Sequence, residues 1–368
     1  MGAARRVLEG VRRVGFYPDL GCQGCPEDMV FPAALASCLE FLGESHQAGP
    51  FASGQTYDHP GLTAHLMAVS GNSFQLCWQR GWSMDNVALT HLADEPDEPY
   101  RRALWAMGRP IMLVRRAAER DNAAYFRRAV TESIDHGVPL LGFGVVGAPD
   151  ASIISGYDEG GEVVIGWSHF QSWPEATPGL DIEPDGQYRR RDWFDGCELL
   201  VLLGRAVAKP PLSEVVRETL RHALAIMLRV SARPVGLAAY RAWADQLRAA
   251  TDIDAGDLDT LRQQFAVHDD AVGTIAECRW YAGQWLQRVL AEGIGPAEPL
   301  AAAAACFDRQ HDLMWRAWGL VGGNGRDDAK ALAFADPAVR DALASVIEEA
   351  RDEEAAAAGH LQTALERW

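Results

Sequence analysis

The stretch MVFPAALASCLEFLG, residues 29–43, decides how the first half of this chain is read. Leu35, Leu39 and Leu42 recur at helical spacing. Pro32 stands in the first turn, where its missing N–H is no loss, and Gly43 stands where helices end on a left-handed residue. The spacing predicts one helix. Downstream, VPLLGFGVV (138–146), DASIISGYD (150–158) and EVVIGW (162–167) are short β-branched runs punctuated by glycine. DEGG (158–161) joins the last two as a hairpin. GQYRRRDW (186–193) with CELLVLLG (197–204) adds one more strand, expected at the end of the sheet. The reading is an α+β domain, a lone central helix on an antiparallel sheet with flanking helices.

From about residue 212 the pattern changes to helix after helix. EVVRETLRHALAIMLR (214–229), GLAAYRAWADQLRAA (236–250), DAVGTIAECRWYAGQWLQRVL (270–290), ACFDRQHDLMWRAWGLV (305–321) and the run from Ala338 to Leu365 carry apolar residues at i, i+3, i+4 and i+7. They predict an all-α bundle of five or six helices. GRAVAKPPLSE (204–214) separates the halves, its two prolines stopping regular structure and Ser213 offering a helix cap. Two domains follow, 1–205 and 212–368. WGLVGGNGRDD (318–328) lacks the lysine and the preceding strand of a phosphate loop, and reads as a helix end followed by a turn.

A net charge of −17, with Lys209 and Lys330 the only lysines, argues against a nucleic-acid partner. The clusters at 188–193 and near the N-terminus are read as solvated faces. No apolar run reaches the ~18 residues that span a bilayer, and no secretory leader is evident, so a cytoplasmic protein without a membrane partner is expected. Seven scattered cysteines suggest reduced thiols. CQGC (22–25) is half of a zinc or redox motif with no second half. His268, Glu277 and His311 have donor types that suit a metal, but no HExxH or ExxH spacing supports one; neither metal nor cofactor is expected. Glu277 is expected to pair with Arg279, and His311 to meet Trp315 one turn on.

PAALASCLEFLG (32–43) and IISGYDEGGEVVIGW (153–167) resemble the C39-like branch of the papain-like cysteine peptidases. They also resemble the N-terminal domain of butirosin-type acyltransferases, and AVSGNSFQLCW (68–78) is similar to the Gly-rich loop that follows the helix there. The resemblance spans about residues 20–205. It implies a nucleophilic cysteine opening the helix and a histidine on the strand leading into GYD. Counting back from Gly43 the cysteine's seat holds Val30; counting back from Gly156 the histidine's seat holds Asp150. The usual Asn or Asp after the second hairpin strand falls near Trp167. Val30 has no proton to give to a base, so thiol chemistry from that seat is excluded.

The remaining cleft is expected to be acidic and aromatic. Asp150, Glu27 and Asp28 are the candidate acid–base residues, Glu27 and Asp28 also being placed to cap the helix N-terminus. Val30, Phe31, Phe74, Trp78, Trp82, Tyr157 and Trp167 are candidates to wall it, with Glu277 and His311 contributed by the helical half. Such a pocket suits a small molecule bearing an amine or guanidine. Three readings stay open: a natural-product tailoring enzyme acting on an amide, ester or amine; a non-catalytic ligand-binding or sensor protein; and a redox or metal protein using Cys22 and Cys25. A homodimer is compatible with each.

Overall fold

A computed structural model describes residues 4–17, 26–44, 60–86, 95–116, 122–173, 177–249 and 253–368. The chain folds as two compact units. One comprises Met1–Leu66 and Tyr100–Pro210, the other Met67–Pro99 and Pro211–Trp368. The segment 67–99, which the sequence reading assigns to the first domain, therefore belongs with the helices.

The first unit is built on a sheet whose eight described strands all pair antiparallel. They are β1 (Arg6–Val7), β2 (Ile111–Arg115), β3 (Leu140–Phe143), β4 (Ala151–Asp158), β5 (Val163–Trp167), β6 (Asp181–Ile182), β7 (Tyr188–Arg191) and β8 (Leu199–Leu203), in the order β2-β8-β3-β4-β5-β7-β6. β4 takes β3 along its first half and β1 along its second. β8 is not terminal as expected: β2 lies outside it, with Met112 opposite Leu202. Gly166 allows the β4–β5 contact, since a Cβ there would lie 1.9 Å from the Ile153 carbonyl oxygen.

α1 (Val30–Phe41) packs on β3 and β4 and is buried from Val30 to Leu39. It ends at Leu42, with Gly43 left-handed at φ 79°. α4 (Ala123–Asp135) buries Phe126, Val130 and Ile134 on one face and packs on β4 and β1. Two of the three arginines of β7 are ion-paired, Arg189 with Asp158 (2.8 Å) and Glu183 (3.4 Å) and Arg191 with Glu159 (2.5 Å), while Arg190 donates to the Pro178 carbonyl (3.3 Å). Those carboxylates lie on the neighbouring strands and turns, so the charges of Arg189 and Arg191 are met within their own sheet.

The second unit contains α5 (Leu212–Met227), α6 (Leu237–Ala249), α7 (Leu258–Ala291), α8 (Ala297–Val321), α9 (Asp328–Ala335) and α10 (Pro337–Glu366). α2 (Pro60–Val69) and α3 (Glu98–Ala106) are the helices within which the chain passes from one unit to the other. α8 packs on α7 and α10, and α10 on α6. Pro211, not Ser213, occupies the cap of α5, with no side-chain bond. α8 ends on left-handed Gly322, as the glycine-rich turn suggests. Leu76 and Trp78 enter a core with Trp243, Phe265 and Phe334; Phe74 enters another with Trp285 and Phe307. These aromatic insertions tie 67–99 to the bundle.

Arg279 completes the tie. It is wholly buried on α7, paired fork to fork with wholly buried Glu354 of α10 at 2.8 Å on both arms. Its remaining N–H groups donate to the carbonyls of Ser73 (2.7 Å), Phe74 (3.3 Å) and Gln75 (3.5 Å). Arg279 thus takes Glu354, not the expected Glu277, as its ion-pair partner, and one guanidinium joins α7, α10 and the backbone of residues 73–75.

Candidate active site

The N-terminal end of α1 is where the site residues gather. Met29 is the helix cap and offers no side-chain bond, and the first turn carries no carboxylate. Pro32 has no N–H, and Ala33 makes the first intrahelical bond, to Met29 (3.2 Å). The amides of Val30 and Phe31 thus open the helix without a side-chain cap. Capping by Glu27 and Asp28 is not observed. Asp28 accepts instead from the backbone N–H of Tyr17 (2.6 Å).

Glu27 is turned towards Arg12. It accepts from Nη1 at 2.7 Å and Nη2 at 3.3 Å, and from the Thr63 hydroxyl at 3.1 Å. Arg12 also donates Nε–H to Glu40 (2.7 Å), and its carbonyl receives the Ser37 hydroxyl (2.6 Å). Burial works against the charge of Arg12, but Glu27 and Glu40 outweigh it and hold the guanidinium protonated. Both oxygens of Glu27 are engaged, which makes this carboxylate part of a partly buried ion pair.

The backbone carbonyl of Glu27 does something else. It lies 2.8 Å from Nε2 of His169. His169 follows β5 at the start of a 3₁₀ turn, His169–Ser172, fixed by a capping box: the Ser168 hydroxyl receives the Phe170 N–H and Gln171 receives the Ser168 N–H. A carbonyl can only accept, so Nε2 carries the hydrogen and Nδ1 keeps its lone pair. Nδ1 is buried and has no hydrogen-bond partner. Burial lowers the imidazole pKa to about 4, the Glu27 carbonyl opposing and Arg12 reinforcing. The ring is therefore a neutral base at physiological pH. Phe16 meets it edge-on at 5.1 Å and stacks on Trp173 at 4.9 Å.

Asp150 comes to the same end of α1 by the loop before β4. Gly147 of that loop sits against Phe170, close enough that a Cβ would be 2.6 Å from it. Asp150 accepts from its neighbour's amide, Ala151, at 2.7 Å. Tyr100 stands beside it, 5% exposed; burial first, and the Asp150 charge second, push its phenol well above the usual range. Phe31 meets Tyr100 edge-on at 4.8 Å, and Tyr100 meets Phe143 at 5.0 Å. Val30, Phe31, Asp150 and Glu27 are thus brought together, with His169, Tyr100 and Arg12 added by the structure.

No family model matches the chain, and no curated protein matches it significantly.

The remaining expected residues go elsewhere. Tyr157 donates to Asp135 of α4 (2.9 Å), and Trp167 donates to the Val11 carbonyl (3.1 Å) beneath Arg13. Phe74, Trp78, Trp82, Glu277 and His311 all belong to the second unit. Trp78 is buried, stacked on Trp243 and bonded to Gln246 (2.9 Å), and Trp82 meets Trp78 edge-on. His311 bonds the Ala276 carbonyl (2.9 Å) and receives the Trp315 indole N–H (3.0 Å), as the one-turn spacing anticipates. Glu277 is buried on α7. A single aromatic wall drawn from all of these residues does not form within either unit.

His268 receives the Trp243 N–H (3.2 Å) and stacks on Phe334; burial holds its pKa near 4. Among the described residues no group of His, Cys, Asp or Glu is arranged to hold a metal ion. Cys22 and Cys25 lie outside the described residues. The five described cysteines, at 38, 77, 197, 278 and 306, are buried and in no disulfide. No helix among the described residues is long and apolar enough to cross a membrane.

His169 left a faint trace in the sequence. SHFQ at 168–171 has the S-x-x-Q spacing of a capping box directly after a strand, which marks a fixed turn and hence a fixed histidine. Tyr100 and Arg12 left none.

Proposed function

We propose that the first unit is a papain-like scaffold whose base is His169, and that the protein is a small-molecule tailoring enzyme acting at an amide or ester. One observation carries this reading: a buried, neutral imidazole whose Nε2–H is held by a carbonyl and whose Nδ1 lone pair is uncommitted. That is the state of a general base. In the proposed step, Nδ1 takes the proton from the attacking O–H or N–H as its bond to the acyl carbon forms. The imidazolium then returns that proton to the departing oxygen or nitrogen as the acyl bond breaks. The uncapped amides of Val30 and Phe31 are the donors for the acyl oxygen, at the positive end of α1. Asp150, beside Tyr100, is the second acid–base group.

The test is a panel of 4-nitrophenyl esters and 4-nitroanilides of small acyl groups, offered to the wild type, His169→Gln and Tyr100→Phe. Turnover that falls about 100-fold or more in His169→Gln supports the reading. Turnover equal in His169→Gln and wild type refutes it.

A further inference from the structure

The Arg12–Glu27 pair is held by more contacts than the ion pair alone, and they flank the one backbone carbonyl that meets His169. Glu27 holds Arg12 and Thr63 with its side chain and His169 with its backbone. Arg12 is itself anchored at both ends, by Glu40 through Nε and by the Ser37 hydroxyl at its carbonyl. A carbonyl can aim at a ring nitrogen only if its peptide plane is fixed, and residues 26–29 precede α1 without regular structure to fix it. The side-chain clamp supplies that restraint.

We infer that Arg12 is a positioning residue for His169, acting through Glu27: it fixes the carbonyl that selects the Nε2–H tautomer and balances the Glu27 charge, so that the ring stays neutral with Nδ1 free. The inference rests on the reading of His169 as the base. The charged groups gathered around the ring are Arg12 from the N-terminal segment, Glu27 ahead of α1 and Glu40 behind Arg12 on α1. Asp28, held by the Tyr17 amide, and Asp150, on the loop that packs against Phe170, complete the set.

The sign of two substitutions separates positioning from simple loss of packing. Arg12→Gln removes the positive charge that disfavours the imidazolium and leaves the Glu27 carboxylate without its counter-charge, so the imidazolium is favoured. Glu27→Gln keeps the backbone carbonyl and an acceptor for Arg12, but removes the negative charge and so disfavours the imidazolium. Loosened packing would hydrate the ring and raise its proton affinity in both.

The experiment is a pH titration of the His169 ring nitrogens by NMR in the full chain, which also reports the tautomer. Arg12→Gln is expected to raise the His169 proton affinity about tenfold or more and to mix the tautomers. Glu27→Gln is expected to leave the midpoint at or below that of the wild type, with the Nε2–H tautomer retained. Arg12→Lys, which keeps the charge, is expected to return the midpoint towards the wild-type value. Upward shifts of similar size in both Arg12→Gln and Glu27→Gln, or no shift in either, would overturn the inference. If Arg12→Gln does not fold, Glu27→Gln decides alone, an upward midpoint overturning the inference and a downward one supporting it. Because no turnover is read, these outcomes are independent of whether His169→Gln retains activity.

Discussion

Removing Arg279 and Glu354 singly and together tests how residues 73–75 are bound to the helices of the second unit. Glu354→Leu strands a wholly buried guanidinium whose Nε–H and one Nη2–H have lost their acceptors. Stranding a buried charge in this way costs about 3–5 kcal/mol. Arg279→Met strands the carboxylate at a similar cost, and also orphans the carbonyls of Ser73, Phe74 and Gln75. Each unsatisfied buried carbonyl adds about 1 kcal/mol or more, so this variant should be the less stable single. In Arg279→Met with Glu354→Leu, replacing both ions by apolar side chains is close to neutral, but the carbonyls remain orphaned. The double variant should stay about 2–4 kcal/mol below the wild type, well short of the sum of the singles. Urea unfolding followed by circular dichroism gives the four stabilities. Hydrogen exchange at the Phe74 amide, which bonds the Gly71 carbonyl at 3.0 Å, reports the turn itself. A double variant as stable as the wild type, with Phe74 still protected, would show that the guanidinium does not anchor 73–75.

Three further outcomes follow. His169 and His268 keep a pKa near 4 where an unfolded chain has 6.5, so between those values the unfolded state takes up protons that the folded state refuses. Stability should be level above pH 6.5 and fall by about 3 kcal/mol for each ring on acidification to pH 4. His268→Gln, which keeps an acceptor for Trp243, should flatten that dependence in the second unit; an unchanged acid dependence would contradict a neutral His268. Burial raises the thiols of Cys197 to about 12 and Cys306 to about 11, and those of Cys38 and Cys278 higher still. Iodoacetamide at pH 8 should therefore leave these four unmodified in native protein, and rapid labelling of Cys38 or Cys197, read by mass spectrometry, would count against the packing of the first unit. Gly166→Ala places a Cβ on the Ile153 carbonyl and should cost about 2–3 kcal/mol by forcing β4 and β5 apart, measurable as a lowered unfolding midpoint.

Much of the architecture was legible because it is written in short-range pattern. Leu35, Leu39, Pro32 and Gly43 give α1 within a residue or two, and the glycine-punctuated runs give β3, β4 and β5 with their hairpin. The helices of the second half announce themselves by periodicity. What was not legible depends on partners distant in sequence. SFQLCW at 73–78 looks like any apolar run, and only Arg279, more than 200 residues on, assigns it to the helical unit. β2 and the interior place of β8 are settled by pairing between residues some 90 apart.

The site was half legible for the same reason. Glu27 and Asp28 ahead of a helix read as caps, because local sequence cannot show that Arg12 and the Tyr17 amide claim them first. YRRR at 188–191 reads as a solvated face until the acids of the adjoining strands and turns appear opposite it. Val30 and Asp150 are reached by counting from Gly43 and Gly156, whereas His169, a single histidine after a strand, carries no catalytic motif of its own. Its importance lies in one carbonyl and one unpaired nitrogen, neither of which a sequence displays.

The pH dependence of kcat/KM for an ester that the protein turns over tests the account most directly. Activity needs His169 unprotonated, so the rate should hold level from neutral pH downward and fall only through an acid limb near pH 4, and that limb should vanish with the activity in His169→Gln. An acid limb near 6.5, the value of an ordinary exposed histidine, or one that persists unchanged in His169→Gln, would contradict it.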